Sequence, residues 1–448
     1  DLALCFEGAV PAVIATASAD GTPNVTYLSR LRIVDDERVA LSNQFLSKTA
    51  TNLAENPQAS VLVLDPTSYD EFRMALVYER TDRRGPLFDR LREDVDATAA
   101  LSGMQHVFKL RAADIYRVVD IERVPTMGDR SYRSPRSTRP APEVASVAAL
   151  TARLSRCVAL DTLVSATVRG LAELLGYGHA TISLLDEDGE RLYTIASHGY
   201  ASQGVGSEVR LGESTIGLAG LRCAPVRIGS LTQMGKYAAS VRRSFEDRGS
   251  LVTGPSVPLP VLADAESQLA VPMMALGQLV GVLALESAEP VAFSDADEAA
   301  LSVVAAVVAH AIEAARAEER VDDPTVPEPT PAVEVPNAAG DATQIRFFGA
   351  DGSVFVGSEY LIKGVAGRIL WSLLRQHERD GRTEFTNKEV RLDPTLELPE
   401  YRDNLESRLI LLKRRLDERD VPVRIEKTGR GRFRLVVSAP LRLGEPTA

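Results

Sequence analysis

The sequence predicts a multidomain α+β protein, and three observations support that fold class. The chain has 448 residues, a length that typically divides into about three domains. Two stretches rich in proline and in charged or small residues interrupt its apolar pattern. The segments outside these stretches combine short strand-like runs with helical patterns, so each is expected to form a mixed domain.

The two interrupting stretches have the composition of linkers. The first, MGDRSYRSPRSTRPAPE from Met127, has no apolar period, and the second, VDDPTVPEPTPAVEVPNAAGD from Val321, alternates proline with small or acidic residues. Such segments stay extended because they cannot build a core. The predicted order is a domain over 1–126, a linker over 127–142, a domain over 143–320, a proline-rich linker over 321–340 and a domain over 341–442.

The overall composition is that of a soluble globular protein, with 45% hydrophobic and 25% charged residues and a formal net charge of -11. Cys5, Cys157 and Cys223 lie far apart and form neither a disulfide framework nor a zinc pattern, which predicts a reducing cytoplasm. The apolar segment LSVVAAVVAHAIEAA from Leu301 is shorter than the about 20 residues that span a bilayer. We recognise no secretory signal, and no membrane association is expected.

The first domain reads mainly as antiparallel strands. Three apolar runs in AVPAVIATASADGTPNVTYLSRLRIVDDERVALSN are separated by turn-forming residues. The helix SKTATNLAENP ends at Pro57, and the following run ASVLVLD is apolar on both faces and therefore expected to be buried. A late strand is predicted in HVFKLRAADIYRVVDIE. Short antiparallel strands that close on themselves predict a small barrel.

The turn between VALSN and the helix carries a candidate anion site. Asn43, Ser47, Lys48 and Thr49 supply hydroxyls, an amide and a cation at a helix start, which are the groups that a phosphate prefers. The alternative interpretation is structural, with Ser47 as the N-cap of the helix and Lys48 as a solvated surface residue.

The first domain resembles the pyridoxamine 5′-phosphate oxidase-like split barrel over about 1–125. The segments that carry this resemblance are, in order, DGTPNV, VALSNQFLSKTATNLAENPQASVLVLD and FKLRAADIYRV. The resemblance implies flavin mononucleotide (FMN) at a dimer interface, with Ser47 and Lys48 matching the turn that grips the flavin phosphate. Some relatives bind haem or deazaflavin instead and others hold no cofactor, so FMN is the expected cofactor, with haem or none as alternatives. Tyr27 and Leu28 stand where more polar groups are expected, which argues against the oxidase activity itself.

The second domain is predicted to begin with one long helix, EVASVAALTARLSRCVALDTLVSATVRGLAELLG, that Gly176 ends. A hairpin with an Asp-Gly turn follows in HATISLLDEDGERLYTIASHGY. The domain ends with the apolar segment AVPMMALGQLVGVLALES and then the helix FSDADEAALSVVAAVVAHAIEAA. Ser294 is the predicted N-cap of this helix. These segments resemble a GAF sensor domain over about 145–316, which implies a ligand pocket and dimerisation through the end helices.

The sensed ligand is not evident from the residues of this domain. Cys223 beside Arg222 is interpreted either as a reactive thiol or, preferably, as a small buried residue before Pro225. His198 is interpreted as a polar residue at a strand end in preference to a haem ligand, and His179 and His310 are no stronger candidates. We predict no metal site and no catalytic residues, and the long insert from Leu218 is expected to cover the pocket.

The third domain begins with short strands and the amphipathic helix GVAGRILWSLLRQH. A second helix, TNKEVRLD, has a capping box formed by Thr386 and Glu389. The third helix lies in YRDNLESRLILLKRRLDERD, and a hairpin with the tip TGRGR ends the domain. One face of the third helix is predicted to carry Leu405, Leu409, Leu412 and Leu416.

The third domain resembles the response-regulator-type winged helix over about 343–437. The resemblance is carried by NLESRLILLKRRL followed by IEKTGRGRFRLV. The resemblance implies that the third helix enters the major groove of DNA and that the hairpin contacts the minor groove or backbone. Residues 402–434 hold 11 Lys/Arg against 6 Asp/Glu, a concentration that suits DNA phosphates. The predicted DNA-binding residues are Arg402, Asn404, Ser407, Arg408, Lys413, Arg414, Arg415, Lys427, Arg430 and Arg432.

Within that set, Arg402, Asn404, Ser407 and Arg408 are expected to be exposed and to read base edges. The alternative interpretation is a solvated charged helix on a module that binds protein. The sequence thus predicts a one-component transcriptional regulator that senses a small molecule or redox state and binds double-stranded DNA as a homodimer, without enzymatic activity. A flavin-dependent oxidoreductase regulated by its C-terminal domains, and a scaffold with empty sensor domains, are the alternatives.

Overall fold

The structure is a computed structural model. The residues that it describes are 2–6, 11–28, 30–44, 47–65, 70–101, 109–125, 139–230, 262–321, 342–396, 405–419, 421–429 and 431–445. The insert predicted to cover the second domain's pocket lies largely outside these residues, as does most of both predicted linkers.

Turn-forming residues divide the first 125 residues into the strands of one antiparallel sheet. Its order is β2-β1-β5-β6-β7-β4-β3, and β2 approaches β4 so that the sheet curls into a half-barrel. Its core includes Ile14, Leu41, Val61 and Tyr116. The elements are a 3-10 turn at Ala3–Phe6, β1 (Ala12–Ala17), β2 (Pro23–Leu28), β3 (Leu31–Ile33), β4 (Arg38–Asn43), α1 (Ser47–Glu55), β5 (Gln58–Leu64), β6 (Glu71–Asp82), α2 (Pro86–Leu101) and β7 (Ala112–Arg123).

Two features of this sheet differ from the sequence prediction. Strand β5 alternates between buried and half-buried residues, so the prediction that both of its faces are buried was wrong. Only one face of β5 packs on the hydrophobic core, because the sheet is covered on a single side at this strand. The sequence analysis also gave no helix between β6 and β7, where the structure has α2.

The second region is a six-stranded antiparallel sheet of order β10-β9-β8-β13-β12-β11 with helices on both faces. Helices α3, α4 and α6 pack on one face, and α5 packs on the other. The elements are α3 (Val144–Leu154), α4 (Leu160–Leu175), β8 (His179–Leu185), β9 (Arg191–His198), β10 (Glu208–Arg210), α5 (Ser214–Arg222), β11 (Val226–Ile228), β12 (Ser267–Ala275), β13 (Gln278–Ser287) and α6 (Asp295–Val321).

The single long helix predicted at the start of this region is wrong, because the chain breaks between α3 and α4. The two helices fold back on each other and cross closely at Gly170, where an added Cβ would lie 2.4 Å from the Leu150 side chain. Such a crossing requires a turn between the helices. The helix end at Gly176, with φ of 73°, and the Asp188-Gly189 turn after β8 are confirmed.

Helix α6 extends beyond the apolar segment on which its length was judged. Asp295–Ala317 is long and apolar enough to cross a membrane by length and composition alone, so the argument that it is too short was wrong. The face carrying Leu301, Val304, Val308 and Ile312 is fully buried, and the helix packs on β12 and β13 as a core helix does. The predicted N-cap at Ser294 is confirmed by its reciprocal hydrogen bonds with Asp297.

The third region contains a four-stranded sheet, β16-β15-β14-β20, and a three-stranded sheet, β17-β19-β18. The Thr386–Glu389 capping box and the buried leucine face of the third helix are confirmed. The elements are β14 (Thr343–Phe348), β15 (Ser353–Val356), β16 (Glu359–Ile362), α7 (Gly364–Asp380), β17 (Glu384–Thr386), α8 (Asn387–Leu392), a 3-10 turn at Pro394–Leu396, α9 (Leu405–Glu418), β18 (Val423–Gly429), β19 (Arg432–Val437) and β20 (Leu441–Gly444).

Helix α2 joins the first region to the second. Ala97 packs into the apolar cluster beneath α5, and the helix lies against α5 and β11. Arg90 forms an ion pair with Glu298 of α6, and Asp96 forms one with Arg222 of α5. The half-barrel therefore contacts the second sheet at its β11 edge, through α5, β11 and the start of α6.

Strand β13 passes so close to β8 that Gly281 has no room for a side chain. A Cβ at this position would lie 2.2 Å from the carbonyl oxygen of Ser183 and 2.7 Å from the Met273 side chain. We expect Gly281→Ala to destabilise this region by about 1–3 kcal/mol, as overpacking of a filled core does. Scanning calorimetry of the full chain would show the loss as a lower transition temperature.

Gly178→Ala is the matched control, because nothing lies within 4 Å of its added Cβ and its φ is not positive. Equal transition temperatures for the two variants would contradict the close approach of β13 to β8.

Candidate cofactor and nucleic-acid binding sites

The start of α1 brings together part of the predicted phosphate turn. Lys48 is exposed, and among the described residues it has no ion-pair partner. Thr49 is buried, and its hydroxyl oxygen accepts a hydrogen bond of 2.9 Å from the Asn24 side-chain amide. The side chain of Ser47 lies outside the described part of the structure. A free cation beside the N–H groups of a helix start suits a phosphate.

Asn43 has a different role from the predicted one. Its side-chain amide donates a hydrogen bond of 2.8 Å to Asp114, whose second carboxylate oxygen accepts one of 2.6 Å from Thr81. Asp114 is buried, so a phosphate beside Asn43 would meet a negative charge at low dielectric. Lys48 is therefore the exposed cation at this turn, whereas Thr49 is buried and Asn43 is bonded to Asp114, and flavin binding at the turn stays a prediction.

The side of the second sheet that α5 covers contains buried polar groups within an apolar cluster. Ser207 donates a hydrogen bond of 2.8 Å to the hydroxyl of Thr194, and the hydroxyls of Ser183 and Thr194 lie 3.4 Å apart. We call these three residues the hydroxyl cluster. Because side chains alternate along a strand, Thr194 points to the opposite face of β9 from its neighbour Tyr193. These hydroxyls bond to one another, which satisfies them within the apolar cluster.

Cys223 is exposed, so its interpretation as a small buried residue was wrong. It ends α5 with φ of 51°, and the neighbouring Arg222 pairs with Asp96 of α2. His198 is the last residue of β9, as interpreted, and His179 packs edge-on against Tyr200. Among the described residues, no group of three or more His, Cys, Asp or Glu side chains could hold a metal ion.

The basic helix α9 does not face solvent on all of its outer side. Arg408 forms a two-pronged ion pair with Glu187, in which its Nε lies 2.8 Å from a carboxylate oxygen. Its guanidinium carbon also lies 3.9 Å from the centre of the Tyr193 ring. Glu187 belongs to the β8–β9 turn, and Tyr193 belongs to β9. The expectation that Ser407 and Arg408 are exposed was wrong, because α9 packs against the second region here.

Arg414 extends this contact by one and a half helical turns. Its guanidinium pairs with the Asp161 carboxylate, donates a hydrogen bond of 2.9 Å to the carbonyl oxygen of Ile195 and donates one of 2.6 Å to the Ser165 hydroxyl. Asp161 and Ser165 belong to α4. Arg408 and Arg414 therefore both bind the second region through its α4 and β9.

The electrostatics of the Arg408–Glu187 pair favour both charged forms. Burial raises the pKa of Glu187, but the hydrogen bonds and charge of Arg408 outweigh burial and hold that pKa below its ordinary value. Burial would lower the pKa of Arg408, but Tyr193 and Glu187 raise it above its ordinary value. The pair is therefore ionised at neutral pH, with both side chains only 9% exposed.

Arg415 is also buried, which does not suit the DNA contact predicted for it. Its Nε donates a hydrogen bond of 2.8 Å to the carbonyl oxygen of Leu361, and the side chain pairs with Glu418. These contacts tie α9 to β16 of its own region.

Three of the remaining predicted DNA-binding residues lie in the described part of the structure. Lys413 is half-buried, Arg432 is exposed on β19, and Lys427 is exposed on β18 with its ammonium 3.0 Å from Glu406. The predicted residues outside the described part of the structure are Arg402, Asn404 and Arg430.

Two family models match this chain. Residues 2–119 match the model described as pyridoxamine 5′-phosphate oxidase, and residues 159–312 match the GAF domain model. The chain carries a split barrel and a GAF domain. Both predictions are thereby confirmed, and we use these names for the first and second regions below.

The individual relatives cover parts of the chain. An uncharacterised protein from Methanocaldococcus jannaschii is 40% identical over 50 residues, which are 11% of this chain and 34% of that protein. The chain therefore matches about a third of that relative's length.

Three solved structures represent the structural neighbours. An FMN-binding protein from Syntrophomonas wolfei subsp. wolfei is 21% identical, covering 28% of this chain and 84% of that one, with a TM-score of 0.25. The GAF domain of an Acinetobacter phosphoenolpyruvate-protein phosphotransferase is 25% identical, with coverages of 39% and 94% and a TM-score of 0.31. A free methionine-R-sulfoxide reductase from Neisseria meningitidis is 17% identical, with coverages of 39% and 89% and a TM-score of 0.31.

The three cysteines differ in environment and should differ in reactivity. Burial and the nearby charge of Asp65 raise the pKa of Cys5 to about 12, whereas Cys223 is exposed and Cys157 is half-buried. Because the thiolate is the reactive form, iodoacetamide at pH 8 should alkylate Cys157 and Cys223 well before Cys5. Peptide mass spectrometry after timed quenching measures the order.

Alkylation in guanidinium chloride is the control, and there the three rates should converge. Early modification of Cys5 in the native chain would contradict its buried position.

Proposed function

We propose that this chain is a one-component transcriptional regulator, in which the split barrel and the GAF domain sense a small molecule or redox state. The third region, over about 343–437, is proposed to be a winged helix that binds double-stranded DNA. The observation that carries this proposal is the order α7, α8, α9 and the β18–β19 hairpin, with β17 pairing against β19. Three helices followed by such a hairpin form the helix-turn-helix and wing of that fold.

The hairpin has the chemistry of a phosphate-binding wing. Arg432 and Lys427 project from its exposed edge, and Arg424 and Arg434 are exposed on the same two strands. Gly431 at the tip has φ of 63°, a conformation that side chains rarely adopt and that lets the backbone turn tightly. Lys and Arg side chains on a hairpin supply sequence-independent affinity for DNA.

A homodimer is proposed on the basis of the split barrel. Val25 and Tyr27 on β2 are 63% and 68% exposed, and Val119 and Ile121 on β7 also face solvent in the single chain. Large exposed apolar side chains on adjacent positions of a strand are typical of protein–protein interfaces. Two copies would present two DNA-binding domains to two half-sites, which raises affinity above that of one module.

The alternative function is a flavin-dependent oxidoreductase regulated by its C-terminal domains. The match to the pyridoxamine 5′-phosphate oxidase family and the free cation at Lys48 favour it. FMN is proposed as the cofactor in either case, and when bound it would supply hydride or electron transfer. Oxidation of a nicotinamide donor by the pure chain would support the enzyme over the regulator.

DNA binding is tested by selecting duplexes of about 30 base pairs from a random pool with the full chain at low salt. Binding of the selected duplex should weaken steeply with salt, and Arg432→Ala should weaken it across sequences and lower the salt slope by about 1. Arg379→Ala, which removes an exposed arginine at the end of α7, is the matched control and should leave the slope unchanged. Failure to enrich any duplex both with the wild-type chain and with a Glu187→Gln chain, which lacks the Arg408–Glu187 pair, would overturn the proposal.

Cofactor binding is tested by the absorbance spectrum of the purified chain and by titration with FMN. Lys48→Gln should weaken FMN binding about tenfold, since it removes one charge-assisted contact worth about 1.5 kcal/mol to the phosphate. Lys388→Gln in α8, the same chemical change far along the chain, should have no effect. Equal affinities for the wild type and Lys48→Gln would exclude this turn as the phosphate site, and a Soret band would indicate haem instead.

A further inference from the structure

Helix α9 is enclosed on two sides in this structure. Its leucine face packs on α7 and β16 of its own domain, and the face that carries Ser407 and Arg408 packs on α4 and β9 of the GAF domain. Ser407 is 1% exposed and Arg408 is 7% exposed. A recognition helix must enter a major groove about 12 Å wide, which a helix enclosed in this way cannot do.

The contacts on the GAF domain also occupy the donors that DNA would need. Arg408 uses Nε and one terminal nitrogen on the Glu187 carboxylate, the same fork that binds a phosphate or a guanine edge. Arg414 uses its guanidinium on Asp161, Ile195 and Ser165. In both cases a carboxylate occupies guanidinium donors that a DNA phosphate would need, so the carboxylate and DNA would compete for the same groups.

Further contacts around this interface hold the two domains together. The Lys363 ammonium lies 3.0 Å from the Glu208 carboxylate of β10, and Ser202 donates a hydrogen bond of 3.4 Å to Glu418 at the end of α9. In contrast, Arg432 and Lys427 on the hairpin are exposed. The GAF domain therefore covers the helix of the DNA-binding domain and leaves the hairpin accessible.

We propose that the GAF domain is a competitive inhibitor of DNA binding within the same chain, holding α9 through the Arg408–Glu187 and Arg414–Asp161 pairs until the domains separate. This inference rests on the proposed DNA-binding function. Separation exposes Ser407, Arg408 and Arg414 together, because all three lie on one helix. The docked form is the repressed state of the DNA-binding domain, and the undocked form is the competent one.

The position of the contact connects it to the interior of the GAF domain. Strand β9 carries Tyr193 towards α9 and, on its opposite face, Thr194 in the hydroxyl cluster. The contact with α9 and the hydroxyl cluster thus lie on opposite faces of one strand.

Glu187→Gln in the full chain tests the inference without altering any proposed DNA contact. The substitution removes the negative charge that pairs with Arg408, so the undocked form gains population. If about one tenth of the wild-type molecules are competent, full release makes the apparent DNA affinity about tenfold tighter. The probe is a labelled duplex selected from a random pool with the Glu187→Gln chain, and fluorescence anisotropy measures its binding to the variant and the wild type.

Asp188→Asn is the matched control. It removes the same charge one residue away in the same turn, on an exposed side chain, and therefore reports any general effect of net charge on DNA binding. Asp161→Asn tests the second ion pair independently and should also tighten binding. Hydrogen exchange measures docking without DNA: amides of 405–418 should exchange faster in Glu187→Gln than in Asp188→Asn, while those of α6 and β13 stay protected.

The outcomes separate the inference from the function on which it rests. Tighter DNA binding together with faster exchange in 405–418 supports autoinhibition. Equal DNA affinity for the wild type, Glu187→Gln and Asp188→Asn overturns the inference and leaves the DNA-binding function intact. Faster exchange in 405–418 with no binding to any selected duplex overturns the DNA-binding function, and the inference falls with it.

Discussion

The arrangement of this protein depends on the GAF sheet, because the two neighbouring domains pack near its opposite edges. The β11 edge, with α5 and the start of α6, receives α2 of the split barrel, and the β9 side, with α4, receives α9 of the C-terminal domain. Each junction is held by arginine–carboxylate pairs, Arg90–Glu298 and Arg222–Asp96 on one side and Arg408–Glu187 and Arg414–Asp161 on the other. The GAF domain is therefore the common support of both neighbouring domains.

The chemistry of these junctions favours reversible association. Removing an arginine and a carboxylate from water costs about as much as their attraction returns, so such a pair adds little net stability to the docked form. An apolar junction of the same area would be more permanent, as the interfaces of obligate assemblies are. When the docked and undocked forms have similar free energies, a ligand can shift the population between them. The required difference in its binding free energy for the two forms is modest, about 1–3 kcal/mol. Under the proposed scheme, these ion pairs are the part of the junction that a ligand shifts, while one buried apolar cluster runs through both the GAF and the C-terminal domain.

The parts of the fold that local chemistry determines could be predicted from the sequence. The capping box at Thr386 and Glu389, the Asp188-Gly189 turn and the leucine face of α9 each depend on residues within a few positions of one another. The family resemblance of the first two domains rests on longer motifs, which are likewise made of residues that are close in the sequence. These features follow from helical and strand periodicity and from turn geometry, which do not require knowledge of the tertiary fold.

The predictions that were wrong concern residues whose contact partners lie far away in the sequence. Asn43 bonds to Asp114, which follows it by 71 residues, because β4 and β7 pair in the sheet. Arg408 meets Glu187 across 221 residues because two domains dock, and this contact turned an expected surface arginine into a buried one. Charge patterning identifies α9 as basic but does not distinguish a solvated face from one that faces an acidic neighbour.

Under the proposed DNA-binding function, the exposed hairpin has a kinetic consequence while α9 is covered. Arg432 and Lys427 would still reach phosphates in the docked form, and such contacts are weak, independent of sequence and compatible with sliding along the duplex. A docked molecule would therefore stay near DNA and scan it without stopping. Under the proposed scheme, the signal acts on how long the protein pauses at a site, while the rate at which it finds the chromosome hardly changes.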